Sequence, residues 1–270
     1  METSRVINFT SIADIESNID NFKYIFATHG VICLRGANLD DAGQEELTHM
    51  LGDHLKFFPN NSNKASGTYR EDHSSLIKET GEKPKDEVLL YWHQEHIDRQ
   101  RTIVSGIWNM HTFRCQTGVG NTLFVDMAKM YKSLSEEERN FLKKSTISMN
   151  VYHPSENEAN EDIAYVTPVQ SHWLTKEDTL RLDYFTGTKL HEYDLRIPSD
   201  DEYNYFSQLN DKIKNIIWDD LNVRIVHEWQ EGDVLVVDLF KMQHAVMGGF
   251  DSKDRKFTGI FGTIYPWDQD

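Results

Sequence analysis

The end of the chain is a succession of short apolar segments parted by turn-forming residues: Val223–Trp229, Asp233–Leu239, His244–Met247 and Lys256–Tyr265. Segments this brief, rich in Val, Ile, Phe and Tyr and bounded by Gly and Asp, suit the strands of a sandwich or barrel. The same texture recurs at Val31–Gly36, Glu87–Glu95, Thr102–Phe113, Thr122–Val125, Ser145–Tyr152, Ala164–Val169 and Thr179–Phe185. Helical spacing is confined to a few places. Ile12–Thr28 reads as a helix, and Asp40–Leu55 sets Leu47, Met50, Leu51 and Leu55 on one face behind an acidic first turn. Met130–Lys144 has Ser133 or Ser135 as its cap, and Ser199–Leu221 opens with the cap candidates Ser199, Asp200 and Asp201. Many short strands with a few helices outside them predict a mainly β fold with flanking helices, a double-stranded β-helix of the cupin-like jelly-roll type.

No internal repeat, low-complexity tract or Pro/Gly/Ser linker divides the 270 residues, so 1–270 reads as one domain. The stretch 59–86 is long, polar and without periodicity, and it stands directly before the segment richest in histidine and carboxylate. It reads as a lid.

Composition narrows the range of partners. With 28 basic and 44 acidic side chains the formal charge is −16, a field that repels nucleic acid and anionic membrane surfaces, both of which require a basic footprint. The longest apolar runs, such as Val234–Val237, fall far short of the roughly 20 residues that span a bilayer, and the N-terminal residues lack the apolar core of a signal peptide. Two cysteines, Cys33 and Cys115, both in strand-like stretches, suit buried thiols in a reducing cytoplasm rather than a disulfide framework. These features predict a cytoplasmic protein that acts on a small molecule, and they are compatible with a homo-oligomer.

The segment WHQEHID, residues 92–98, holds two overlapping pairs, His93 with Glu95 and His96 with Asp98. In a strand, residues two apart point to the same side, so His-x-Glu or His-x-Asp can deliver two metal ligands at once. Two imidazoles and one carboxylate on one face of Fe(II) leave three positions open for co-substrate and O2. By itself the spacing carries no weight, because 12 histidines and 44 acidic residues yield about two such pairs by chance. Both pairs stand open on residue chemistry alone.

The order of several blocks along the chain carries more. FATHGVICLRG is followed by a helix; Trp92 precedes His93; TGVGNTLFVDM spans 117–127; and EWQEGDVLVVDLFKMQHAV spans 228–246. In this order the chain resembles the taurine dioxygenase/TfdA-like superfamily of Fe(II)/2-oxoglutarate oxygenases over nearly its whole length. The resemblance implies His93, Glu95 and His244 as iron ligands, with Glu95 where aspartate is more usual, as in the clavaminate synthase-like branch. It implies Arg255, eleven residues beyond His244, as partner of the distal carboxylate of 2-oxoglutarate, with the Thr122 hydroxyl beside it. Arginine is permanently charged and presents a planar fork to a carboxylate. Trp92 before the first pair and LLYW as an incoming strand favour His93/Glu95 over His96/Asp98, which turns His96 toward the substrate pocket.

The implied reaction consumes Fe(II)-bound 2-oxoglutarate and O2, releases succinate and CO2, and abstracts hydrogen from a substrate. Because a carboxylate stands at position 95, halogenation, which needs that position vacated for chloride, is not expected. Gly259 occupies the place of a sulfonate-binding arginine, so taurine is a poor substrate candidate. Arg181, in TLRLDYF after TPVQSHW, is the candidate anchor for a substrate carboxylate, and this segment is similar to the branch that makes vinyl isonitriles from amino-acid isonitriles. Two other classes compete: a cupin-like metal isomerase or hydrolase, which needs neither Thr122 nor Arg255, and a non-catalytic metal-binding barrel.

Overall fold

The computed structural model describes residues 2–66, 88–94, 103–151, 162–182, 188–248, 250 and 254–264. Two large sheets organise them. The five-stranded sheet has the order β1 (Glu2–Thr3), β13 (Arg224–His227), β7 (Thr122–Asp126), β15 (Met242–Met247), β5 (Val88–His93). The six-stranded sheet runs β2 (Arg5–Asn8), β3 (Val31–Arg35), β14 (Val234–Val237), β6 (Ile103–Phe113), β16 (Arg255–Thr263), β4 (Phe58–Ser66). Two small sheets pair β8 (Ser145–Val151) with β9 (Asp162–Val166) and β12 (Thr188–Tyr193), and β10 (Val169–Ser171) with β11 (Asp178–Leu180).

Period-two alternation explains how the layers stack. Along β3, Val31 and Cys33 enter a central cluster while Ile32 and Leu34 enter an outer one; along β14, Leu235 and Val237 face the centre while Val234 and Val236 face outward. Along β7, Phe124 is central whereas Leu123 and Val125 face the opposite outer cluster. The central cluster lies between the two large sheets. The six-stranded sheet is covered by α1 (Ile12–Ser17), α2 (Ile19–His29) and α3 (Asp41–Leu55), which contribute Ile15, Phe22, Phe26, Leu47 and Leu51. The five-stranded sheet is covered by α4 (Met127–Ser133), α5 (Glu136–Lys144) and α6 (Asp200–Asp219), through residues such as Met130, Phe141 and Ile213. The structure is thus mostly β with helices on both outer faces. No helix among the described residues is long and apolar enough to cross a membrane.

Local chemistry divides two of the expected helices. The helix expected over Ile12–Thr28 breaks at Asn18, whose amide Nδ2 donates to Asp14 O at 2.9 Å, the Ser17 hydroxyl bonding the same carbonyl. The helix expected over Met130–Lys144 is two helices. Ser135 starts the second with a full capping box, in which its hydroxyl accepts from Glu138 N and Glu138 Oε2 accepts from Ser135 N. The first residues of the expected lid, Pro59–Ser66, belong to β4, an edge strand paired with β16. The rest of that stretch, 67–86, lies outside the described residues.

Candidate active site

β5 and β15 are antiparallel neighbours, and their register sets His244 opposite His93. On each strand the neighbouring residue shows which way the histidine turns: Trp92 and Ala245 both enter the outer helix-facing cluster, so His93 and His244 face the space between the sheets. The two imidazole rings stand 4.1 Å apart between centroids at 52°. His244 is buried, and the Trp108 and Phe124 rings lie 5.2 and 6.0 Å from it. Glu95, two residues beyond His93, lies outside the described residues, as do His96 and Asp98. Two neighbouring imidazoles on adjacent inward strand positions, with a carboxylate two residues further along, form a donor set that suits Fe(II).

The co-substrate candidates gather at another part of the same interior. Arg255, the first residue of β16, is 2% exposed. Its Nε donates to Gly120 O at 3.0 Å and a terminal nitrogen to Thr122 Oγ1 at 3.3 Å. Three rings, Phe257, Phe250 and Trp229, lie 5.1, 5.6 and 5.8 Å from the guanidinium carbon. Thr122, fully buried on β7, also accepts from Trp229 Nε1 at 2.9 Å. Sequence reasoning paired Arg255 with Thr122 and the structure brings them together; Trp229 was read only as part of a motif, since nothing along the chain reveals that its indole folds back onto Thr122.

Between these groups stands Trp108, also missed. Its indole is 5.2 Å from His244 and 6.3 Å from Phe257, which itself lies over Arg255. The indole rests on two glycines of the six-stranded sheet: a Cβ at Gly259 would come 2.9 Å from its Cδ1, and one at Gly106 would come 2.8 Å from its Nε1. Gly259, expected to mark the absence of an anion-binding side chain, is the position that makes room for this ring.

Residues 238–241 form the turn that carries the chain from β14 in one sheet to β15 in the other, and many segments converge on it. Asp238 N donates to Gly30 O and Met127 N to Lys241 O. The Asp238 carboxylate meets His172 Nε2 at 2.9 Å and accepts from Lys241 N, while Lys241 Nζ donates to Ala27 O and lies 3.6 Å from Asp126. Gln94 Nε2 reaches Phe240 O at 3.3 Å, and its Oε1 accepts from Leu182 N; Gln243, beside His244, holds Leu182 O at 2.9 Å. Arg181 belongs to this assembly. It is fully buried, with Nη1 donating to the carbonyls of Leu239 and Phe240 and the guanidinium 4.4 Å from the Phe240 ring centroid.

Among the described residues one further group has metal-ligand chemistry: Cys33, His227 and Asp233, all buried. Its electrostatics disfavour a cation. The Arg35 guanidinium is 3.3 Å from Asp233, and burial, with the positive fields of Arg35 and Arg255, holds the His227 imidazolium pKa down to about 3. Burial, followed by the Asp233 charge, pushes the Cys33 thiol up to about 12, away from the thiolate that binds metal. Arginine already supplies the charge a metal would bring.

A search of curated protein sequences returns no significant match. The profile of the taurine catabolism dioxygenase TauD, TfdA family matches residues 2–261. Among solved structures, a taurine dioxygenase from Burkholderia xenovorans superposes with a TM-score of 0.71 at 12% identity, over 96% of this chain and 87% of that one. AAD-2, solved with Mn(II) and N-oxalylglycine, superposes with a TM-score of 0.67 at 14% identity, over 98% and 96% of the two chains. The protein is therefore an Fe(II)- and 2-oxoglutarate-dependent dioxygenase by class. The chain belongs to the TauD/TfdA family.

Proposed function

We propose that this enzyme hydroxylates or desaturates a small, carboxylate-bearing substrate derived from an amino acid, converting 2-oxoglutarate to succinate and CO2. The observation that carries the reading is the juxtaposition of His93 and His244, 4.1 Å apart, on the same interior that holds the buried Arg255–Thr122 pair. In this reading His93, Glu95 and His244 hold Fe(II), and Arg255 with Thr122 holds the distal carboxylate of 2-oxoglutarate. Held there, Fe(II) with 2-oxoglutarate would supply the chemistry that activates O2 and takes hydrogen from the substrate. The protein's own contribution is placement. The β5–β15 register aims both histidines at one point, and the aromatic walls of Trp108, Phe124 and Phe257 keep the interior apolar, which strengthens every charge interaction there.

His96 is assigned to the substrate side of the metal. Arg181 is assigned to the substrate carboxylate, as the buried guanidinium whose Nη1 is fixed by the 238–241 turn. The fold reads as one double-stranded β-helix domain over 1–270, with substrate chemistry close to the vinyl-isonitrile-forming branch. The two facing sheets support that fold, and the TPV…LR segment supports that branch.

Anaerobic titration with Fe(II) and 2-oxoglutarate tests the site through the weak visible charge-transfer band of the chelate. Wild type should give the band, His93→Ala and His244→Ala should abolish it, and His96→Ala should keep it. A band lost only in His96→Ala would transfer the ligand pair to His96/Asp98. For the substrate, a panel of amino-acid-derived carboxylates and their amides is scored by coupled succinate release; carboxylates should be preferred, and Arg181→Lys should erode that preference at least tenfold. Equal turnover of acids and amides would sink the carboxylate assignment.

A further inference from the structure

A threonine hydroxyl has one proton to give and two lone pairs with which to accept. At Thr122 both lone pairs are engaged: Trp229 Nε1–H donates to Oγ1 at 2.9 Å and an Arg255 terminal N–H at 3.3 Å. The hydroxyl proton must therefore point away from both donors, and among the described residues no acceptor meets it. We infer that Trp229 is a positioning residue that locks the Thr122 hydroxyl as a donor toward the carboxylate held by Arg255, so that the distal end of the 2-oxo acid is recognised by a three-residue unit. The inference rests on the co-substrate reading given above.

The lock is built from rigid parts. Trp229 stands two residues beyond β13, whose register sets His227 opposite Thr122, so the indole must turn back toward its neighbour strand. His227 packs edge-on beneath it at 4.4 Å and 86°, and is itself tied to Ser4 Oγ at 2.8 Å. The indole is 3% exposed and the hydroxyl is fully buried. A hydroxyl left to rotate could turn a lone pair toward an incoming carboxylate and repel it. With Trp229 in place only the donating orientation remains, and the ligand meets it without a reorganisation cost.

The test is a double-mutant cycle on co-substrate affinity, read from the anaerobic Fe(II) chelate band for wild type, Trp229→Phe, Thr122→Val and the double variant. Each protein is titrated with 2-oxoglutarate and with 2-oxobutyrate, which keeps the chelating end and lacks the distal carboxylate. Trp229→Phe should raise the 2-oxoglutarate dissociation constant about tenfold, about what a well-placed hydrogen bond to a charged group supplies. It should add nothing in the Thr122→Val background and leave 2-oxobutyrate unchanged. Should Trp229→Phe not fold, 3-benzothienylalanine at position 229 keeps the indole's shape and deletes only the N–H, with the same outcomes expected. Equal weakening of both 2-oxo acids, or an undiminished effect in the Thr122→Val background, would make Trp229 a packing residue and overturn the inference. A wild type that gives no band brings down the co-substrate reading with it; a wild type that binds while the cycle shows no coupling brings down this inference alone.

Discussion

Gly259 and Trp108 show how one missing side chain shapes the interior. The indole occupies the volume above the glycine, with His244 on one side and Phe257 on the other. A methyl at 259 would force the ring to shift, and close-packed interiors resist such shifts at a cost of about 1–3 kcal/mol. Gly259→Ala is therefore expected to destabilise by about that amount in urea unfolding, and in a Trp108→Ala background, where the crowded ring is gone, the same substitution should cost little. If the two effects simply add, the ring and the glycine are not in the contact described. The pair also marks the limit of motif reading: a glycine where a charged residue might stand reads as a deletion, yet it is the floor under an aromatic wall.

Among elements, legibility followed burial. β3 and β14 were plain because Val31–Leu34 and Val234–Val237 are apolar on both faces, with helices on one side and the opposing sheet on the other. β2 and β4 were not legible: Arg5–Asn8 is largely exposed, and Phe58–Ser66 is mostly polar, as edge strands commonly are. Of the site, His93, His244, Thr122 and Arg255 could be named because they fall in ordered blocks along the chain. The 238–241 turn could not, since its partners lie 58 to 214 residues away. The turn makes its own prediction. Asp238→Ala strands the His172 ring nitrogen in a dry interior, and leaving such a buried polar group unpaired costs roughly 1–3 kcal/mol. Chemical denaturation should show that loss, with Asp238→Asn milder; a cost under about 1 kcal/mol would mean the turn holds without its carboxylate.

For the whole molecule, the relation of charge to interior matters most. A formal charge of −16 surrounds a core in which Arg35, Arg181, Arg224 and Arg255 are held, three of them buried outright. An anionic co-substrate approaches against the outer field, so recognition has to be short-ranged, made by guanidinium forks in a low-dielectric interior rather than by long-range steering. The sandwich that supplies this interior is closed by the sheet-crossing turn, and that has a bearing on folding order. The turn is held by segments around residues 27–30, 94, 104, 126, 172 and 181, and His244 follows it by three residues. His244, the proposed iron ligand, is thus tethered to contacts that join distant parts of the chain, so metal capture is expected to report on completed folding.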